Sequence, residues 1–349
     1  MARSNHTSTR RRRAALSLAI TAACLVGAVA TSSSAEAART FPRSTTTKKP
    51  TTTTTVAPVT TTTKAPVTTT TVAPTTTAAP TTTTTTAPAP TCGATVLKAD
   101  GSAWQCTLAD EFGGTTLDST KWIAQQTANS GYTSGGECYF DRTNNVSVGG
   151  GVLTLTARKE AAPFTCPSPG GDWTTQYTGG MVSTAYRFSQ TYGRFEVRAK
   201  LPTATVKGLQ TAFWLWPDNA TKYGNWPASG EIDIAEYYTQ YPDRVIPYIH
   251  YNDGGLDPNV TNNWCMVTDP TQFHSYVAEW TPTTISIIYD GQTCVVDTWN
   301  ALGLAKPAPF DHPFMVVLTQ ALGINTNAFD PATTPLPAST QVDYVHVWK

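Results

Sequence analysis

Tryptophan and acidic residues are nearly absent from the first quarter of this chain. The first 91 of its 349 residues contain no tryptophan and one acid, Glu36, whereas all ten tryptophans follow residue 100. A segment with so few aromatic side chains cannot bury enough apolar area to offset the entropy lost on ordering. We therefore expect the folded domain to occupy residues 92–349.

The net charge of zero hides an imbalance between these two parts. Ten of the 24 Lys and Arg residues precede residue 92, which leaves 14 bases and 23 acids in residues 92–349, a net charge of −9. An acidic domain repels phosphate backbones, which disfavours nucleic acid as a partner. The absence of a dense Lys or Arg cluster also disfavours a sulfated substrate. A neutral polysaccharide fits the charge of this domain better. We expect the protein to be a monomer.

The N-terminal residues have the features of an export signal. Residues 10–13 are arginines, residues 14–29 are mostly apolar, and an Ala-x-Ala cleavage site ends at Ala37. We expect a signal peptide over residues 1–37, with a retained membrane anchor as the alternative. The mature protein would then be secreted and free of the membrane, with association to a cell wall as one option.

The segment after the signal is rich in threonine and proline. Residues 38–91 contain no acid, and from residue 44 they are almost entirely Thr, Pro, Ala and Val. Frequent proline favours an extended polyproline-like chain, and dense threonine invites O-glycosylation. We expect a disordered linker.

Cysteine spacing disfavours zinc and favours disulfides. No Cys-x-x-Cys or paired-histidine spacing occurs. Apart from Cys24 in the signal, six cysteines remain in the exported domain, which predicts three disulfides among 15 possible pairings. We favour pairing in chain order, because each bridge then closes a short loop. The predicted bridges are 92–106, 138–166 and 265–294.

Convincing amphipathic helices of ten or more residues are also absent. Short segments with alternating apolar and polar residues occur instead, at residues 151–157, 194–200 and 284–289. A period of two is typical of half-buried strands, and Gly-Gly, Asp-Gly and proline turns separate these segments. The pattern predicts an all-β domain built as a large antiparallel sandwich.

Three acids lie within six residues at positions 231–236, in the order Glu-Ile-Asp-Ile-Ala-Glu. On a strand, Glu231 and Asp233 share one face, and the isoleucines between them face the core. Glu236 has the wrong parity for that face. A β-bulge near residues 234–235 would correct it, since bulges redirect side chains beside active sites.

Two other interpretations of these acids are an ordinary exposed strand and a calcium site. Clustered like charges repel, so an exposed strand gains nothing from them. Isoleucines between the acids give none of the loop geometry of calcium sites. Glycoside hydrolysis, in contrast, needs one ionised and one protonated carboxyl group at the same bond.

The hexapeptide resembles the E-x-D-x-x-E signature of glycoside hydrolase family 16, in its bulged form. Residues 226–230, Trp-Pro-Ala-Ser-Gly, are similar to the laminarinase (endo-β-1,3-glucanase) branch. The resemblance covers most of residues 99–349, although residues 239–247 and 319–324 depart from the family pattern. Further similar segments occur in the family's order at residues 110–122, 145–155, 192–202, 213–217 and 342–347.

The resemblance implies a β-jelly roll of two antiparallel sheets with a concave substrate cleft. It also implies a retaining double displacement on a β-glucan that requires no cofactor. By position, Glu231 would be the nucleophile, Glu236 the general acid/base, and Asp233 a residue that tunes both.

The resemblance further implies which residues bind the sugar. Trp214, Trp226 and His250 match cleft residues of laminarinases, and an indole suits the C–H face of a glucose ring. Asn145 and Arg198 are additional candidates for hydroxyl contacts. The alternatives are core packing for the tryptophans, a structural role for His250, and a surface glycosylation site at Asn145.

Family analogy also suggests a structural calcium ion on the convex face, held by Glu111 and Asp343. Two other functions stay open. A transglycosylase of this fold would use the same carboxylates. A non-catalytic glucan-binding module would typically lack a catalytic glutamate, and all three acids are present here.

Overall fold

The computed structural model describes residues 90–203 and 206–349. The predicted signal peptide (1–37) and nearly all of the predicted linker (38–91) lie outside the described residues. Within the described part of the chain, no helix has the length and apolar character needed to cross a membrane.

Strands dominate the described residues, which confirms the all-β prediction. One short α-helix, α1 (Thr127–Ser130), and one 3-10 turn (Asn325–Asn327) accompany them. The strands are β1 (Cys106–Asp110), β2 (Ile123–Ala124), β3 (Cys138–Tyr139), β4 (Val146–Gly149), β5 (Val152–Cys166), β6 (Trp173–Ser183), β7 (Gly193–Lys200), β8 (Leu209–Pro217), β9 (Glu231–Tyr238), β10 (Ile246–His250), β11 (His274–Trp280), β12 (Ile285–Tyr289), β13 (Gln292–Asp297), β14 (Phe314–Leu322) and β15 (Ala338–Trp348).

The strands form two layers that are joined through the long neighbours β5 and β6. We call β10-β9-β8-β14-β6 the front sheet and β5-β15-β7-β11-β12-β13 the back sheet. Neighbouring strands along this path pair antiparallel, as predicted, and β3 adds a short parallel pairing with β6. The acidic strand β9 lies between β8 and β10 in the front sheet.

Alternation along the strands separates the core from the outer faces. In β8, Phe213 and Leu215 belong to the core between the sheets. Trp214 and Trp216 belong to a second apolar cluster, together with Ala212. Since successive side chains of a strand point to opposite faces, this second cluster marks the outer face of the front sheet, which we call the front face.

Three disulfides connect the six cysteines in chain order, which confirms the predicted pairing. They join Cys92 to Cys106, Cys138 to Cys166, and Cys265 to Cys294. Each closes a loop of 14 to 29 residues. Such bridges stabilise a fold mainly by restricting its unfolded chain.

Candidate active site

Strand β9 contains the bulge that its acid spacing predicts. Asp233 pairs with Trp214 of β8, and Glu236 pairs with Ala212, so three steps along β9 match two steps along β8. Ala235 pairs with Phe213, which leaves Ile234 as the additional residue. Because Trp214 and Ala212 both lie on the front face, Asp233 and Glu236 lie there too.

A tyrosine of the back sheet supports the bulge from the core. The hydroxyl of Tyr289, in β12, donates a hydrogen bond of 2.7 Å to the backbone carbonyl of Ile234. A bulged residue is left out of the regular ladder, and an unsatisfied buried carbonyl costs about 1–3 kcal/mol. Burial raises the pKa of Tyr289 well above its usual range, which keeps the hydroxyl protonated as a donor.

Neutral donors bind the two glutamates of the strand, and both glutamates are buried. The indole Nε1 of Trp226 donates to Oε2 of Glu231 at 2.6 Å, and the amide Nε2 of Gln210 donates to Oε1 of Glu236 at 2.9 Å. The Ser134 hydroxyl donates to Oε1 of Gln210 at 3.1 Å, which orients the amide. Each donor fixes the position of a carboxylate without neutralising its charge.

His250 connects the central acid to the tryptophan. Its Nε2 lies 2.9 Å from Oδ2 of Asp233. The imidazole stacks on the ring of Tyr248 at 4.1 Å, and its centroid is 5.2 Å from that of Trp226. These ring contacts hold the imidazole beside Asp233 and bring it close to Trp226, the residue that donates to Glu231.

Glu231, Asp233 and His250 are also the group of three that could hold a metal ion among the described residues. Each offers one ligand atom, and these atoms lie within 4.8 Å of one another. The Trp226 indole already donates to Glu231, and an indole N–H pointing into a site repels a cation. The donor set therefore suits proton transfer better than metal binding.

The predicted sugar-binding tryptophans differ in accessibility. Trp226 is partly buried and contacts Glu231 directly. Trp214 lies on the front face as predicted but is only 1% exposed. Its Nε1 donates to the Thr319 hydroxyl at 3.0 Å, and the Tyr132 ring packs 6.0 Å away. Trp226 is thus the tryptophan that a ligand can reach first.

Asn145 requires a correction, because it is fully buried. Its Nδ2 donates to the Thr156 carbonyl at 3.0 Å and to the Thr178 hydroxyl at 2.8 Å. Both amide hydrogens are therefore engaged within the protein. The structure supports neither the predicted hydroxyl contact nor the alternative of a surface glycosylation site.

Arg198 also requires a correction, because it lies in strand β7 of the back sheet. Phe195 and Val197 point into the core, so the alternating residue Arg198 points to the outer face of the back sheet. There it forms an ion pair with Asp343 and covers the Phe273 ring, 4.9 Å from its centroid. The structure does not bring Arg198 to the acids of β9.

The residues predicted to bind calcium each contact a basic side chain instead. Oε1 of Glu111 lies 2.5 Å from Nε2 of His346, and Asp343 is paired with Arg198. Calcium prefers several carboxylate and carbonyl oxygens around one point. These pairs fit calcium poorly because the ion would have to displace both bases. Calcium binding there stays a prediction, and no step of the reaction depends on it.

Comparisons with known proteins agree with this geometry. Residues 104–349 match a family model described as "Beta-porphyranase A-D, GH16 domain". The chain is 34% identical to a β-glucanase of Rhodothermus marinus over 74% of this chain and 91% of that protein. It is 33% identical to glucan endo-1,3-β-glucosidase A1 of Niallia circulans over 70% of this chain but only 37% of that protein.

A solved structure gives the same result for the fold. The crystal structure of the laminarinase from Rhodothermus marinus superposes with a TM-score of 0.60 at 32% identity, covering 70% of this chain and 97% of that chain. The predicted jelly roll is thereby confirmed. With the family model matching well over half of the chain, and with the bulged acidic strand in place, this chain belongs to glycoside hydrolase family 16.

Proposed function

We propose that this protein is a retaining endo-β-1,3-glucanase. The observation that carries the proposal is the bulge at Ile234, which turns Glu236 to the face occupied by Asp233. Retaining glycosidases need two carboxyl groups about 5–5.5 Å apart at one sugar bond. Relatives named as β-glucanase and glucan endo-1,3-β-glucosidase support the choice of β-glucan as substrate.

The two glutamates divide the reaction between them. The Glu231 carboxylate attacks the anomeric carbon while the Glu236 carboxylic acid gives its proton to the departing glycosidic oxygen. A covalent glycosyl ester on Glu231 results. The Glu236 carboxylate then takes a proton from water, the resulting hydroxide attacks the same carbon, and Glu231 leaves as a carboxylate. Both groups return to their initial protonation states.

The other residues of the site position these two groups. Trp226 holds one oxygen of Glu231, so the second oxygen is directed to the sugar. Gln210 likewise holds one oxygen of Glu236, so the second oxygen is directed to the sugar bond. Asp233, held by His250, keeps negative charge between the glutamates, which favours a positively charged oxocarbenium-like transition state. The partly buried Trp226 ring also offers an apolar surface to a glucose ring.

Export completes the proposal. Three disulfides suit an oxidising compartment outside the cytosol. The predicted signal at residues 1–37 would deliver the chain there. We propose a secreted monomer, with the Thr/Pro-rich segment as a spacer that keeps the catalytic domain at a distance from a cell wall or another surface.

A galactan substrate is the second candidate, because the matching family model is described as a β-porphyranase. Transglycosylation and non-catalytic binding are the remaining alternatives within the same fold. Transglycosylation differs from hydrolysis only in the acceptor of the sugar. A non-catalytic binding module would leave every polysaccharide intact.

One experiment separates these four functions. The secreted protein is incubated with laminarin, mixed-linkage β-glucan, agarose, porphyran and xyloglucan, with and without added oligosaccharide acceptor, and the products are sized. We expect a ladder of short oligosaccharides from laminarin, unchanged by acceptor and absent with Glu231→Gln. Cleavage of agarose or porphyran alone, longer products with acceptor, or intact polymers throughout would each contradict the proposal and favour one alternative.

A further inference from the structure

Exposed aromatic residues occur at the edge of the front sheet, beyond β10. Trp264 is 71% exposed, and the nearby Tyr241 is also exposed. Arg244 lies between them, with its guanidinium carbon 4.6 Å from the Trp264 ring centroid and 5.5 Å from that of Tyr241. Both oxygens of Asp243 accept from this guanidinium at 2.7 and 2.9 Å. We call these four residues the edge platform.

The backbone holds the platform in place. The segment 260–267 runs beside β10, with hydrogen bonds from Ile249 N to the Val260 carbonyl and from Val245 N to the Cys265 carbonyl. Cys265, next to Trp264, is buried and disulfide-bonded to Cys294. The Arg244 side chain is only 17% exposed, although it is charged. An arginine packed between two rings and a carboxylate leaves the outer indole face as the accessible surface.

Arg244, which contacts the Trp264 ring, lies on the same face as the acids. Val245 belongs to the core, so its neighbours Arg244 and Ile246 point to the front face. Ile246 pairs with Glu236. Trp264 lies in a turn of the adjacent segment, and Met266 of that segment pairs with Arg244.

A line across the strands thus leads from the proposed acid/base to the indole. It runs from Glu236 to Ile246 on β10, then to Arg244 two residues earlier in the chain, whose guanidinium contacts the indole. A polysaccharide that lies across β9 with one bond at Glu236 extends over this edge within a few sugar rings. The accessible indole face suits the C–H surface of a pyranose.

We propose that Trp264, backed by Arg244 and Tyr241, is a distal sugar-binding site that stacks one glucosyl ring of a long β-glucan chain. This inference rests on the proposed function, because it takes the same polymer as ligand. The distal site would extend the substrate cleft beyond the length that short oligosaccharides reach.

The test measures binding and cleavage as a function of substrate length. Variants Trp264→Ala and Trp264→Phe are compared with the full chain for co-sedimentation with particulate β-1,3-glucan and for kcat/KM on laminaritriose and laminarin. The control is Leu256→Ala, which removes a 78% exposed aliphatic side chain from the same β10–β11 connection. We expect Trp264→Ala to weaken particulate binding and laminarin kcat/KM about five- to tenfold, and to leave laminaritriose unchanged. Trp264→Phe should recover most of the loss.

Three results would overturn the inference. They are unchanged polymer binding in Trp264→Ala, an equal loss in Leu256→Ala, or an equal loss on the trisaccharide and the polymer. A change in oligomeric state on gel filtration, without a change in glucan affinity, would identify the edge platform as a contact between copies instead. If the wild-type protein cleaves no β-glucan, the proposed function itself is wrong. If the wild type cleaves β-glucan and Trp264→Ala binds and cleaves the polymer equally well, only the distal site is wrong.

Discussion

Strands β7 and β9 both place acids on the outer face of a sheet, but they surround those acids differently. In β7 of the back sheet, Glu196 is held by Arg194 at 2.8 Å, and the same arginine contacts Glu279 at 2.6 Å. In β9 of the front sheet, the Trp226 indole and the Gln210 amide hold Glu231 and Glu236. In β7 an arginine neutralises the single acid Glu196, whereas in β9 neutral donors hold the two glutamates in position.

The consequence is visible in the protonation of Glu196. Burial opposes ionisation of its carboxyl group, but hydrogen bonds from Ser275, Arg194 and Tyr344 outweigh burial and lower its pKa. A carboxylate stabilised in this way has no tendency to take up a proton near neutral pH. General acid/base chemistry needs the opposite property. We therefore expect the type of partner, more than burial, to distinguish the structural acid of β7 from the proposed catalytic acids of β9.

The strongest test of this comparison replaces one glutamate at a time. Glu231→Gln and Glu236→Gln keep the shape of the site but remove the proposed nucleophile or the proposed proton donor. We expect kcat/KM on laminarin to fall by at least about 10³-fold in each. The matched control is Glu196→Gln in β7, which should lose thermal stability and keep its activity. If all three variants lose activity equally, the distinction between the two strands is wrong.

The next test weakens the bulge without touching the front face. Tyr289→Phe removes the hydroxyl that binds the Ile234 carbonyl from the core. We expect kcat to fall about tenfold, because about 1–2 kcal/mol of support for the bulge is lost. KM should stay nearly constant, as Tyr289 is buried away from the proposed substrate. Unchanged kcat with lowered stability would show that the bulge holds its shape without this hydrogen bond.

A buried acid outside the front face provides a third test. Burial and the nearby Asp257 carboxylate raise the pKa of Asp297 to about 6. The folded state then binds a proton that the unfolded chain releases near pH 4, so the free energy of unfolding falls as pH rises from about 4 to about 6. Asp297→Asn should remove a decline of roughly 1–3 kcal/mol, measured by urea unfolding at pH 4 and pH 7.

Hydrolysis by the Asp297→Asn variant should be unchanged. Activity lost in proportion to stability would be uninformative about the site, so kcat is measured well below the melting temperature. A selective loss of kcat in a fully folded variant would show that a raised pKa outside the front face contributes to the reaction. The reaction would then depend on a second region of the protein, around Asp297, in addition to the acids of the front face.

The smallest effect is expected from Arg198→Ala on the back sheet. Arg198 pairs with Asp343 and packs on Phe273, away from β9. An exposed ion pair contributes about 0–1 kcal/mol, so the melting temperature should change little. KM for laminarin should stay within about twofold, measured against the wild type at equal ionic strength. A large increase in KM would restore Arg198 to the sugar-binding residues.

Local patterns predicted the features that depend on neighbouring residues. The alternation in residues 194–200 and 284–289 predicted β7 and β12, and the parity of Glu236 predicted the bulge. The same alternation places Arg198 on the polar face of β7, but it does not specify the sheet to which β7 belongs. The predicted sugar contact of Arg198 is wrong because β7 pairs with β11 and β15 in the back sheet.

Contacts between distant segments could not be predicted in this way. Tyr289 reaches Ile234 across the core, and Gln210 reaches Glu236 from the next strand, so neither has a signal in its own neighbourhood. The burial of Asn145 likewise depends on Thr178, 33 positions away. These contacts depend on strand order and sheet packing, which a single sequence does not specify.

The most direct measurement identifies the residue that becomes covalently attached to sugar. The enzyme is treated with a 2-deoxy-2-fluoro laminari-oligosaccharide that carries a good leaving group, digested with protease and mapped by mass spectrometry. We predict one label on Glu231, and Glu236→Gln should retain that label, because a good leaving group departs without a proton and the variant lacks the base that hydrolyses the ester. A label on another residue, or hydrolysis with inverted anomeric configuration and no label, would contradict it.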